Sequence, residues 1–188
     1  MGICLAMVRL SDAAIDEISA TPKKALHFWM QDETPEPEPT GFLGRLLGKK
    51  NPGIQRCSVP REEGDETDLD KAWEAMDYLL SDGRKEGGVA RFLTEGGQEV
   101  PEAVGYGPPR AIRSAEVKRI AEFLVGVTPE MLRRRYDGPA MDEAQIYPQI
   151  WARDGDEGFD YVISFLGPMS SFIQEAAKRG LGIMIVFT

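Results

Sequence analysis

The chain has 188 residues, 42% hydrophobic and 28% charged, the balance of an ordinary soluble globular protein and a length that fits one domain. Thirty-one acidic residues against 22 basic ones leave a net charge of −9. That excludes a general nucleic-acid binder, which needs a basic footprint to neutralise phosphates, and disfavours docking on an anionic membrane surface.

Ile3–Leu10 is short, nearly continuous in apolar residues and stopped by Ser11-Asp12, the pattern of a strand buried on both faces. Its apolar core, Ile3–Val8, is the longest such run and falls far short of the roughly 20 residues of a membrane span. No basic segment followed by a long apolar stretch marks a signal peptide. Ser11 is placed to cap a short helix holding Ile15 and Ile18. Thr21-Pro22 pairs a cap with proline at the first helical position, after which Leu26, Trp29 and Met30 share a face. Gln31–Glu66 then forms a Pro/Glu-rich excursion with five prolines and eight acids. Within it, Phe42, Leu43, Leu46 and Leu47 make one or two amphipathic turns. The simpler reading is a surface excursion docked by that small helix; the sharper one is a partner-binding arm, with the Pro-Glu run Thr34–Thr40 as its acidic part.

Thr67 marks the start of the clearest helix, with Asp70 in the place of a capping-box acid. Leu69, Ala72, Trp73, Met76, Leu79 and Leu80 recur at the helical period and predict a core-facing stripe. Val89–Thr94, bracketed by Gly87-Gly88 and Gly96-Gly97, reads as a third strand, and Ala111–Arg113 as a short edge. Ser114 opens a helix with Val117, Ile120, Ala121 and Leu124 on one side. Thr128-Pro129 starts the next, burying Met131 and Leu132 and leaving Arg133–Arg135 as a solvated end. Phe159, Val162, Ile163 and Leu166 form an amphipathic stretch broken by Gly167-Pro168. Met169, Phe172, Ile173, Ala176 and Ala177 form the last helix, closed by Lys178, Arg179 and Gly180. Residues 181–188 read as a second fully buried strand. Together these predict an α+β fold: one domain over 1–188, a small central sheet that includes both chain termini, and several amphipathic helices packed on it. The strict alternation of a doubly wound sheet is missing.

The chemistry of the chain is defined mostly by exclusion. Cys4 and Cys57 are expected to be reduced thiols in the cytoplasm. Together with His27 they are too few for a tetrahedral zinc site, so no metal and no cofactor is expected. A serine–histidine–acid triad would depend on His27, which sits beside Phe28 and Trp29 as a structural histidine, and the nucleophile-elbow motif is absent. Gly44–Lys50 has the wrong glycine spacing for a phosphate loop and lysine where serine or threonine would hold magnesium. Asp154–Asp160 has alternating acids but not the glycine of a calcium loop. No catalytic residue is assigned.

Three segments survive. Gly105-Tyr106-Gly107-Pro108-Pro109-Arg110 could be a stiffened loop presenting Tyr106 and Arg110 to an anionic ligand; otherwise it is a tight turn with Arg110 paired to a nearby acid. Tyr147-Pro148-Gln149-Ile150-Trp151 could line a pocket with Tyr147 and Trp151, or anchor a loop to the core. Asp70-Lys71-Ala72-Trp73 reads as structural, with Trp73 on the core stripe.

These segments, in this order, resemble the YfbM-like family, domain of unknown function 1877. The resemblance is carried by Leu69–Trp73 with Leu79-Leu80, Gly96-Gly97, Gly105–Pro108, Arg110 and the helix from Val117. It continues through Glu143–Pro148 with Trp151 to Ala176-Ala177, Gly180 and the closing apolar strand. Many members carry histidine four residues after the tryptophan, where this chain has Asp77. The resemblance implies a bacterial, cytoplasmic, single α+β domain and supplies no reaction.

Two functional expectations follow from the residues. The first is a non-catalytic interaction protein, of the immunity or antitoxin kind, whose acidity steers it to a basic protein partner. The second is a small-ligand-binding protein or enzyme with Tyr106, Arg110, Tyr147 and Trp151 lining its pocket. A monomer is the default expectation.

Overall fold

The two apolar end segments find each other. β1 (Leu5–Leu10) and β5 (Gly182–Phe187) pair antiparallel along their whole length, Leu5 opposite Phe187 and Leu10 opposite Gly182. Cys4 and Thr188 extend the ladder with reciprocal backbone hydrogen bonds of 2.8 and 2.9 Å. The computed structural model describes residues 2–25, 65–84 and 88–188. Among these, β2 (Glu66–Asp68), β3 (Gln98–Glu99) and β4 (Arg110–Ile112) complete an antiparallel five-stranded sheet in the order β2-β1-β5-β4-β3. The fold is α+β, and the termini pair in the sheet's interior as expected.

Both sheet faces are covered, which is why the end segments read as unbroken apolar runs. One face presents Leu5, Met7, Ile112, Ile183 and Ile185 to the larger core. That core is built by α2 (Trp73–Ser81), α4 (Ser114–Leu124), α7 (Trp151–Ser164) and α8 (Leu166–Arg179). The other face presents Val8, Leu10, Ala111, Met184 and Val186 to Ala14, Ile15 and Ile18 of α1 (Asp12–Ala20) and to Val100 and Val104. Three shorter helices, α3 (Phe92–Glu95), α5 (Pro129–Arg133) and α6 (Gly138–Glu143), bring the number of helices among the described residues to eight.

Several elements differ from the sequence reading. Val89–Thr94 is a turn of 3-10 helix (Val89–Arg91) running into α3, not a strand. Helical spacing puts Arg91 and Thr94 on one face, where both reach Asp77 of α2. Thr67 caps nothing: it lies in β2, opposite Met7, and α2 begins only at Trp73. The ladder continues past β2, with Leu69 N–H donating to Leu5 O and Leu5 N–H to Asp70 O. The chain then turns at Asp70, whose φ is +43°, so Leu69 and Ala72 reach the core from outside the helix. The break between the last two helices falls at Phe165. Gly167-Pro168 sit in the first turn of α8, where a missing N–H leaves no helical bond unmade. Residues 23–25 are helical, while His27, Cys57, Leu26, Trp29, Met30, Thr34–Thr40 and Gly44–Lys50 lie outside the described residues.

Candidate functional site

The end of the sheet where residues 4 and 188 meet gathers most of the segments that drew attention in the sequence. Asp70, held at positive φ by the turn after β2, is the polar centre. Its carboxylate accepts from the Cys4 thiol at 3.1 Å and from the Tyr161 hydroxyl of α7 at 2.9 Å. Tyr161 Oη in turn accepts the Lys71 backbone N–H at 3.2 Å. Tyr161 was not legible as a partner, since nothing in an amphipathic helix says which tail-end hydroxyl will meet a turn 91 positions away.

The electrostatics follow from these bonds. The two donors hold the Asp70 carboxyl below its ordinary value. Burial, then the bond to Asp70, pushes the Cys4 thiol up, and the same two causes push the Tyr161 phenol up. Each shift moves its group away from neutrality, so acid, thiol and phenol keep their protons where they are around pH 7. A general acid or base needs the opposite tuning.

An aromatic group lies alongside. Trp73 packs edge-on to Phe187 at 4.8 Å between centroids, stacks on Tyr147 at 5.9 Å, and donates from Nε1 to Ile3 O at 3.0 Å. Trp73 is thus half-buried at the rim of the core stripe. Tyr147 Oη accepts the Ile3 N–H at 2.8 Å, and the Tyr147 N–H donates to the Glu74 carboxylate at 2.8 Å. The Tyr147-Pro148 peptide is cis. Gly105 bridges to Phe187 and the Tyr106 N–H donates to Phe187 O at 2.8 Å, which brings that loop to the same end of the sheet. The Tyr106 side chain is 54% exposed.

The other two candidates are committed elsewhere. Arg110 lies on the larger-core face of β4, and its guanidinium binds the turn that precedes β3. It donates to the carbonyls of Gly96 at 2.8 Å, Glu95 at 2.9 Å and Gly97 at 3.3 Å, and to the Glu99 carboxylate at 3.0 Å. Trp151 is fully buried, with Nε1 donating to Ile146 O at 2.9 Å. The structure therefore joins Tyr106 and Tyr147 through Phe187 and Trp73, while Arg110 and Trp151 each lock a separate turn.

Charge is gathered on a different surface. Residues 137–160 carry seven acids against a single base, Arg153. They span the packed pair α6 and α7, with Asp137, Glu143, Asp156, Glu157 and Asp160 exposed. Asp142 is used internally, accepting the Trp151 and Ala152 N–H groups at the start of α7. Arg153 pairs with Asp154, and Arg133 reaches over from α5 to Asp156. By contrast, residues 26–64 hold six acids and five bases, so the excess of acid lies in the described body. Among the described residues, no helix is long and apolar enough to cross a membrane.

The chain matches the family described as Domain of unknown function (DUF1877) over residues 1–186. It is similar to a solved structure described as a protein of unknown function, YfbM from Escherichia coli, with a TM-score of 0.65 and 12% identity, covering 98% of this chain and 99% of that one. At that identity the likeness concerns the fold. No curated protein matches the chain.

Proposed function

The chain belongs to the family described as Domain of unknown function (DUF1877), and from that footing we propose that it works by binding, as a non-catalytic interaction protein for a basic protein partner, in the manner of an immunity protein or antitoxin. The observation that carries this reading is the α6–α7 face, seven acids to one base within 24 residues. Two of these acids pair with Arg133 and Arg153, but the exposed excess of Glu143, Glu157 and Asp160 is of the kind that steers a partner of opposite sign and raises the association rate by about ten-fold or more at low salt. The tuning of Asp70, Cys4 and Tyr161 away from neutrality is consistent with it.

The test is affinity capture with the tagged chain at low salt, repeated at high salt and with the triple variant Glu143→Lys, Glu157→Lys, Asp160→Lys. A stoichiometric basic partner, lost on adding salt and on reversing the three charges, is the expected outcome. Capture unaffected by either change would move the interface elsewhere; no partner at all would overturn the reading.

A second reading, a small-ligand site, is favoured by the meeting of the Tyr106 and Tyr147 segments around Phe187 and Trp73. It predicts that a ligand raising the melting temperature of the wild type loses its effect in Tyr106→Ala and in Tyr147→Phe.

A further inference from the structure

Away from both surfaces, α2 buries a carboxylate. Asp77 is only 2% exposed, and among the described residues its Oδ1 has no hydrogen-bond partner. Its Oδ2 accepts from the Thr94 hydroxyl of α3 at 3.0 Å. Arg91 Nε lies 2.8 Å from the same oxygen, yet its N–H is not aligned to donate. A buried ion pair repays the loss of water only when its geometry is good and the remaining lone pairs are filled. Neither condition is met here. Arg91 has other anchors: the Glu95 carboxylate at 3.2 Å, Thr94 Oγ1 at 3.1 Å and the Arg84 carbonyl at 3.1 Å. Among the described residues, the other charged groups on or against α2 are engaged elsewhere, Glu74 with the Tyr147 N–H at its start and Arg135 with Asp82 at its end.

We propose that Asp77 and Arg91 form a proton-operated latch: the segment 88–97 is held against α2 more tightly when Asp77 carries a proton and Arg91 pairs with Glu95 alone, and less tightly when Asp77 is ionised. Burial, opposed by Arg91, raises the Asp77 carboxyl from 3.8 to about 6, and Glu95 contributes to the rise. A group whose value is raised in the folded state stabilises it at low pH and loses that contribution as pH climbs through the folded value. With the ordinary 3.8 of a solvated carboxyl once the segment leaves and about 6 when it is docked, release of the segment becomes about ten-fold more frequent at pH 7.5 than at pH 5.

The experiment follows the Asp77 carboxyl carbon by NMR against pH and measures amide exchange across residues 88–97 at pH 5 and 7.5, corrected for intrinsic rates. The expected result is a midpoint near 6 and opening about ten-fold rarer at pH 5. Asp77→Asn, close to isosteric, removes the pH dependence. Glu95→Gln lowers the Asp77 midpoint and shrinks the ratio, because Arg91 then has no second carboxylate. The wild-type titration requires no variant to fold. A midpoint below 4.5, equal opening at the two pH values, or a ten-fold ratio that survives in Asp77→Asn would each overturn the proposal.

Discussion

Arg110 shows how a side chain suited to recognition can be spent on architecture. Its five donors make a fork that fits a ligand carboxylate or phosphate equally well; here three of its four partners are backbone carbonyls. Carbonyls have no residue-type signature, so the sequence showed the fork and could not show what it holds. Only Glu99 is an acid of the kind the simpler reading expected. Removing the guanidinium leaves the turn's carbonyls short of donors, so Arg110→Ala should cost roughly 2 kcal/mol or more by denaturant unfolding, hydrogen bonds to a charged group contributing about 1.5–3 each way. Trp151→Ala should cost more, about 3–5 kcal/mol, since a fully buried indole leaves a cavity as well as an unpaired Ile146 carbonyl.

At the scale of elements, the helices with a strong apolar stripe were legible, and so were the ends with local signals, the Ser11 and Thr128 caps and the Gly180 close; the ends finished by residues far away in sequence were not. The N-terminus of α4 is the clearest case. Ser114 opens it as expected, with Arg113 at the cap position, but the carboxylate that satisfies the first turn is Asp12, 102 residues earlier, accepting from both the N–H and the hydroxyl of Ser114. Those bonds, the backbone one first, hold the Asp12 carboxyl below its ordinary value. A lowered value means stability that is present above the unfolded value and lost as pH falls through the folded one. Asp12→Ala should therefore cost about 1 kcal/mol at neutral pH, with the gap to wild type closing below about pH 4, which unfolding curves at a series of pH values will show. Arg135 finishes α2 in the same remote way, donating to the carbonyls of Leu79 and Leu80 at its C-terminal end. That is why the Arg133–Arg135 triplet is not a simply solvated face. Backbone constraints act at this scale too. Gly105 has φ +67°, and a Cβ there would lie 2.1 Å from the Phe187 carbonyl oxygen. Gly105→Ala should destabilise by about 1–3 kcal/mol or more and free the Tyr106 loop from the strand end, seen as faster amide exchange at Tyr106.

For the molecule as a whole, the fold class and the central place of β1 and β5 were legible, because a nearly unbroken apolar run of only six residues is too short for a typical helix and suits a strand covered on both sides. β2 and β3 were not. Glu-Thr-Asp and Gln-Glu carry no strand pattern, and they are strands only because a neighbour offers them hydrogen bonds. The acidic surface was legible as a number and not as a place. The Pro/Glu-rich excursion Gln31–Glu66 has eight acids offset by five bases, whereas residues 137–160, spanning α6 and α7, have seven offset by one. Charge reversal there is expected to slow association far more than it changes the melting temperature, since exposed charges contribute little to folding.

The pairing of β1 with β5 also sets the order in which this molecule can come into being. β1 is synthesised before β5, its neighbour in the sheet, and the other described elements are made between the two. The helices of the larger core have no finished platform until then. That pairing closes only after synthesis of β5 and across more than 170 residues, a slow step by the usual relation between topology and rate. Joining Thr188 to Gly2 with a short linker and opening the chain at the exposed Val125-Gly126 connection would turn that closure into a hairpin. Such a circular permutant should keep the fold and refold faster than the parent.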